Sequence, residues 1–318
     1  MKRVSFTFLS TDDMKIHVNK WLSQDQVKGV VQIAHGMSEH SERYGEFATA
    51  LTEAGYHVYA NDHRGFGKTA EMGGDVGHFA DENGWELAVN DLYQLTRVIK
   101  KEMSGLPLFL FGHSMGSFLS RAYIQRYGRE LAGVILSGTG SDRGVLSSLG
   151  ILIAQLESKV RGKRARSRLL NQLSFGNFNK RFRPNRTSFD WLSRDTEAVD
   201  KYVQDPLCGE IPTAGFFYDL FTGIKQLERR EGLAQVPPEL PILLFAGDRD
   251  PVGQDGKAVL KTHRQFKQVG IKDLSLKLYE GGRHEMLNET NREEVYKDII
   301  AWLDAKVDRV NNQFSSLS

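Results

Sequence analysis

Residues 109–118 read FLFGHSMGSF: an apolar run stops at two glycines that bracket Ser114, and a second apolar run follows at once. A serine hydroxyl is a poor nucleophile until a base takes its proton, and it must project clear of its neighbours. A sharp strand-to-helix turn provides that projection, with glycines two residues before and after the serine keeping Cβ atoms out of the way. Gly112 and Gly116 hold those places. The flanks agree, because LPLFLF (106–111) has the unbroken apolarity of a buried strand and SFLSRAYIQRY (117–127) is amphipathic at helical spacing. A bare G-x-S-x-G is a weak signal; set between a strand and a helix it is a strong one.

Such a serine needs a base, and the acid and base are expected in that order at the ends of later strands. Asp250 follows the apolar run LPILLFA (240–246), and His284 follows LSLKLY (274–279). Asp248 shares the loop with Asp250 and is the alternative acid; Asp250 is favoured because it lies further past the strand end, within reach of the histidine. Two backbone N–H groups must also face the developing oxyanion. Met115, directly after the serine, supplies one, and the turn Ala34-His35-Gly36-Met37 after an early strand supplies the other through Met37.

Around these residues, short apolar runs (28–34, 56–60, 106–111, 132–136, 240–246 and 274–279) alternate with helical stretches (43–54, 85–104, 117–127, 256–269 and 292–307). That alternation predicts an open α/β fold, a mostly parallel doubly wound sheet flanked by helices, entered through an N-terminal hairpin around Thr11-Asp12-Asp13. Between 141 and 235 the alternation breaks into helical patterns alone. We read 1–140 and 236–318 as the core domain and 141–235 as a helical cap over the carboxyl ends of the strands, where such sheets bind ligands. The tail from Asn311 reads as frayed.

A net charge of +2 gives no argument for a nucleic-acid partner, and one cysteine, Cys208, excludes an intramolecular disulfide. The N-terminus is too polar for a signal peptide and no apolar run reaches membrane-spanning length, so the cytoplasm is the expected compartment. No metal is expected: in a zinc helix starting at His284-Glu285 the second histidine would fall on Asn288. No cofactor is expected either, because the turn 64–69 (RGFGKT) has Asp62 where a phosphate-binding loop needs glycine; Asp62 and Arg64 read as structural partners. The cap carries ten basic residues from Lys159 to Arg186 with no acidic residue among them. Solvated helix faces account for most such runs; the functional alternative is peripheral contact with an anionic membrane.

The set HGMSEHSERY (35–44), NDHRGFGKT (61–69), GHSMG (112–116), GDRDPV (247–252) and GGRHEMLNE (281–289) resembles the monoacylglycerol lipase and lysophospholipase branch of the α/β-hydrolases. The resemblance implies the α/β-hydrolase fold, a triad of Ser114, Asp250 and His284, and an oxyanion hole from Met37 and Met115. It also implies that His35, Gly36, Glu39, His40, Arg43 and His113 line or buttress the site. The expected reaction is acyl transfer from a lipid or small ester through Ser114, with monoacylglycerols or lysophospholipids as substrates. Short-ester carboxylesterase, aminopeptidase and non-catalytic binding protein are the alternatives. Leu149, Ile151, Leu152, Ile153, Phe175, Phe178, Phe216, Phe217 and Phe221 are candidates for an acyl-chain channel, and Cys208 for a small buried cap residue or a redox-sensitive thiol. The oligomeric state is left open.

Overall fold

The computed structural model describes residues 1–315. Eight strands form one sheet: β1 (Lys2–Leu9), β2 (Lys15–Leu22), β3 (Gly29–Ala34), β4 (Tyr56–Asn61), β5 (Leu108–His113), β6 (Gly133–Ser137), β7 (Ile242–Gly247) and β8 (Leu274–Tyr279). Their order is β1-β2-β4-β3-β5-β6-β7-β8. The first two form the expected antiparallel hairpin, β2 also pairs antiparallel with β4 and is the one strand of the sheet that runs against the others, and every neighbouring pair from β4 to β8 is parallel. Five strands, β3 to β7, are buried at every residue, which is why they read as unbroken apolar runs rather than as alternation.

Helices cover both faces. On one side α1 (Gly45–Glu53) and α11 (Arg292–Ser315) pack Phe47, Leu51, Val295 and Ile299 onto the sheet. On the other, α3 (Gly84–Glu102), α4 (Met115–Tyr127) and α10 (Lys257–Gln268) bury Leu92, Leu119 and Phe266. A short α2 (Gly67–Glu71) lies between α1 and α3, and the Asp62 carboxylate accepts the Lys68 N–H at its start. Arg64 is fully buried against Asp91 and Asp12. At the C-terminus α11 continues to Ser315, past the point where fraying was expected; residues 316–318 lie outside the described residues.

Five helices separate β6 from β7: α5 (Val145–Arg161), α6 (Arg168–Phe175), α7 (Thr196–Gln204), α8 (Ala214–Leu227) and α9 (Arg230–Leu233). Among the described residues no strand falls in this segment. Ser167, Asp195 and Thr213 cap α6, α7 and α8 by accepting otherwise unpaired N–H groups with their side chains. Although it belongs to this segment, α8 reaches the main core, where Phe216 and Phe217 are completely buried.

Candidate active site

The carboxyl ends of β3, β5, β7 and β8 place the candidate residues along one edge of the sheet. Ser114 follows β5 with φ 52° and ψ −116°, a conformation that costs a non-glycine residue about 1–3 kcal/mol. Neighbouring backbone holds it there: its N–H donates to the Ser137 carbonyl at 2.9 Å, and its own carbonyl accepts from Ser117 and Phe118. The flanking glycines are sterically required. A Cβ on Gly112 would sit 2.3 Å from Ser120 Oγ, and one on Gly116 would sit 2.0 Å from the Ala34 carbonyl oxygen.

His284 bridges Ser114 and Asp250. Its Nε2 lies 2.9 Å from Ser114 Oγ and its Nδ1 lies 3.0 Å from Asp250 Oδ1. Since the carboxylate can only accept, Nδ1 carries the proton and Nε2 is free to take one from the serine. Burial opposes charge on the ring, but the Asp250 carboxylate outweighs it, helped by Glu285 and Glu39, so the imidazole pKa moves up. Asp248 turns elsewhere and accepts the Gly281 N–H at 2.8 Å.

On the β3 side, His35 and Glu39 fix the turn around Met37. His35 Nε2 accepts the His63 N–H at 2.9 Å, which leaves Nδ1 to donate to the Gly36 carbonyl. The C=O and N–H of a trans peptide point in opposite directions, so holding that carbonyl aims the Met37 N–H the other way. Glu39 accepts the Gly36 N–H, removing it as a competing donor. The Met115 N–H opens α4 and has no acceptor within the helix. Met37 and Met115 themselves pack against the main core.

Glu39 belongs to a buried ionic group. Arg43 donates to Glu39 and makes a two-pronged contact with Glu285 at 2.8 and 2.7 Å, while Tyr44 donates to Glu39. Burial alone would raise the Glu39 pKa; the Arg43 guanidinium reverses this and holds the carboxylate well below its usual range. Glu285 therefore pairs with a cation. His113, buried beside His284, donates or accepts at Ser137 Oγ, and burial together with the His284 charge lowers its pKa to about 4.

A cavity of about 490 Å³ opens over Ser114. Gly36, Met37, Glu39, His113, Ser114, Met115 and His284 line it, whereas His35, His40, Arg43 and Asp250 stand behind its wall. His40 faces the cap, with Nε2 2.9 Å from Asp205 Oδ2, and Cys208 lies in the same group of possible metal donors. Burial pushes the Cys208 thiol up, so it stays protonated near neutrality and is a weak ligand and a weak nucleophile. Of the nine residues considered for an acyl channel only Phe175 lines the cavity. Phe216 and Phe217 are core, Phe178 is buried behind Phe175, and Leu149 and Leu152 face outward. The cap lining that the sequence concealed includes Trp191, Leu192, Tyr202 and Leu220 with the polar Asn171, Gln172 and Ser188. No motif marks them.

The family described as serine aminopeptidase, S33, matches residues 25–291. A monoacylglycerol lipase of Mycolicibacterium smegmatis is 30% identical over 95% of this chain and 97% of its own length. Rattus norvegicus monoglyceride lipase is 27% identical over 94% and 90%. Among solved structures, a thermostable carboxyl esterase of Bacillus coagulans in complex with glycerol superposes with a TM-score of 0.89 at 30% identity, covering 96% of this chain and 99% of that one. With the family match spanning most of the chain and a monoacylglycerol lipase 30% identical over nearly its whole length, this protein belongs to that serine hydrolase family of the α/β-hydrolases, in the branch of the monoacylglycerol lipases.

Proposed function

We propose that the protein hydrolyses carboxylic esters, monoacylglycerols or lysophospholipids, through an acyl-enzyme on Ser114. The observation that carries this reading is the chain of contacts from Asp250 through His284 to Ser114 at 3.0 and 2.9 Å, opening into a cavity with an apolar wall. His284 takes the serine proton as Oγ attacks the ester carbonyl, Asp250 holds the tautomer, and the Met37 and Met115 N–H groups stabilise the oxyanion. His284 then protonates the departing alcohol, and water repeats the sequence on the acyl-enzyme. Wild type and Ser114→Ala are compared on p-nitrophenyl esters of rising chain length, then on monoacylglycerol and lysophosphatidylcholine. Serine-dependent activity that peaks on long monoacylglycerols is expected; activity unchanged by Ser114→Ala overturns the mechanism.

A short-ester carboxylesterase is the second reading, supported by the polar side chains Asn171, Gln172 and Ser188 in the cap lining and by the likeness to the Bacillus coagulans carboxyl esterase. Activity confined to short esters selects it. Amine recognition would need a free carboxylate, and the three that line the cavity are engaged: Glu39 and Glu285 with Arg43, Glu210 with Arg166.

Peripheral membrane contact belongs to the same proposal, now resting on apolar more than basic surface. Val145, Leu149, Leu152, Leu156 and Val160 form one face of α5, each at least 50% exposed. Half of the basic run pairs within the protein: Arg161, Arg164, Arg166, Arg181 and Arg186. Among the described residues no helix is long and apolar enough to cross a membrane. Vesicle co-sedimentation is expected to weaken when Leu149, Leu152 and Leu156 become serine; binding indifferent to those changes removes this part of the proposal.

A further inference from the structure

The cap contributes a side chain that packs directly on the catalytic imidazole. Trp191 and His284 have ring centroids 5.1 Å apart with planes inclined by 34°. That separation is inside the range where a cation over an aromatic face is attracted by the ring quadrupole, and the attraction grows when water is excluded. His284 is 3% exposed, and it becomes a cation each time it takes the serine proton.

Trp191 is held in place from several directions. Its N–H donates to Asn179 Oδ1 at 2.9 Å, and its carbonyl accepts the His284 N–H at 3.4 Å. One residue on, the Leu192 carbonyl accepts the Glu285 N–H at 2.7 Å, and the Arg283 guanidinium donates to the carbonyls of Asp190 and Ser193. Phe175 lies nearly parallel to the indole and Phe178 meets it edge-on. The segment that carries the indole and the segment that carries the imidazole are therefore one hydrogen-bonded unit.

We infer that Trp191 is a positioning residue for the general base, its indole face stabilising the imidazolium that His284 becomes during acyl transfer. This rests on the proposed role of His284. The other groups facing the ring do not replace it. Asp250 occupies the Nδ1 edge and Ser114 the Nε2 edge, while the charges of Glu39 and Glu285 are committed to Arg43. The His113 ring, 4.8 Å away, stays neutral above its own low pKa and adds no competing charge.

The test compares wild type, Trp191→Phe and Trp191→Leu in pH profiles of kcat/KM on p-nitrophenyl butyrate. Leucine keeps the site dry but removes the aromatic face, whereas phenylalanine keeps a face. For W191L the acidic limb is expected to move down by about half to one pH unit and kcat to fall about three- to tenfold, the size of a desolvated cation–π contact. W191F is expected to keep a limb near that of wild type. An unmoved limb in W191L, whatever its rate, overturns the inference. Should W191L not fold, the emission of Trp191, taken as wild type minus W191F, is titrated instead. It is expected to change with the kinetic pKa and to lose that transition in His284→Gln; a difference emission that is flat with pH in wild type overturns the inference. Activity retained in Ser114→Ala would instead strike the proposed mechanism, leaving the indole titration as evidence on the contact alone.

Discussion

At the scale of single residues, the two aspartates after β7 separate cleanly. The folded-state pKa of His284 is raised, and the proposed base works only when neutral, so kcat/KM is expected to climb as pH rises through a value above that of an ordinary histidine and then to level. Asp250→Asn is expected to lower kcat by about 10⁴-fold and to move that limb down, while Asp248→Asn, whose amide oxygen can still accept the Gly281 N–H, leaves the limb in place. Glu39→Gln tests the oxyanion turn. Its weaker hold on Gly36 is expected to lower kcat about ten- to a hundredfold with KM little changed, short of losing an oxyanion donor outright. The meeting of Ser114, Asp250 and His284 was legible because each sits in a short word at the end of its own strand. Trp191 was not, since its partner is 93 positions further along the chain and nothing in FDWLS announces a contact.

At the scale of elements, the strands were legible for a physical reason: buried on both faces, they tolerate few polar side chains. Cap helices were legible as helices, but not in what they cover. α8 is the clearest instance, since its phenylalanines read as channel and serve as core. The same helix carries Asp219, whose Oδ2 lies 2.2 Å from where a Cβ on Gly84 would stand, so only glycine allows this approach to the start of α3. Burial raises the Asp219 pKa to about 7, with Lys163 offsetting part of the rise. A carboxyl raised on folding holds its proton more tightly in the native state, so native stability falls as pH rises from about 4 through 7. Asp219→Asn removes that dependence. Its Tm is expected to gain on wild type as pH goes from 5 to 8; a constant difference across that range argues against the assignment.

On the scale of the whole molecule, the cap divides into two parts with different attachments. Residues 190–195 are pinned to the loop around His284 by Arg283, by Ser193 to the Asn288 carbonyl and by Arg194 to Glu289. α5 instead rests mainly on α8, with Gly150 against Phe221, and turns its apolar face to solvent. Hydrogen exchange is expected to be slow in 190–195 and faster in 145–161, since fewer buried contacts hold the latter. Equal protection in both would contradict the division. Local patterning could not disclose it, because it depends on contacts between parts of the chain about a hundred residues apart.

The pinning of residues 190–195 also bears on traffic. A wall joined to the proposed general base cannot swing aside without disturbing the chemistry, so arriving ester and departing acid are expected to share one passage. Each turnover then has to clear the passage before the next begins. The released carboxylic acid is expected to act as a competitive inhibitor whose potency follows the chain-length preference of the substrate, measured by adding free acids of graded length to the assay. Acids that inhibit without regard to length, or that fail to compete, would point to a separate exit.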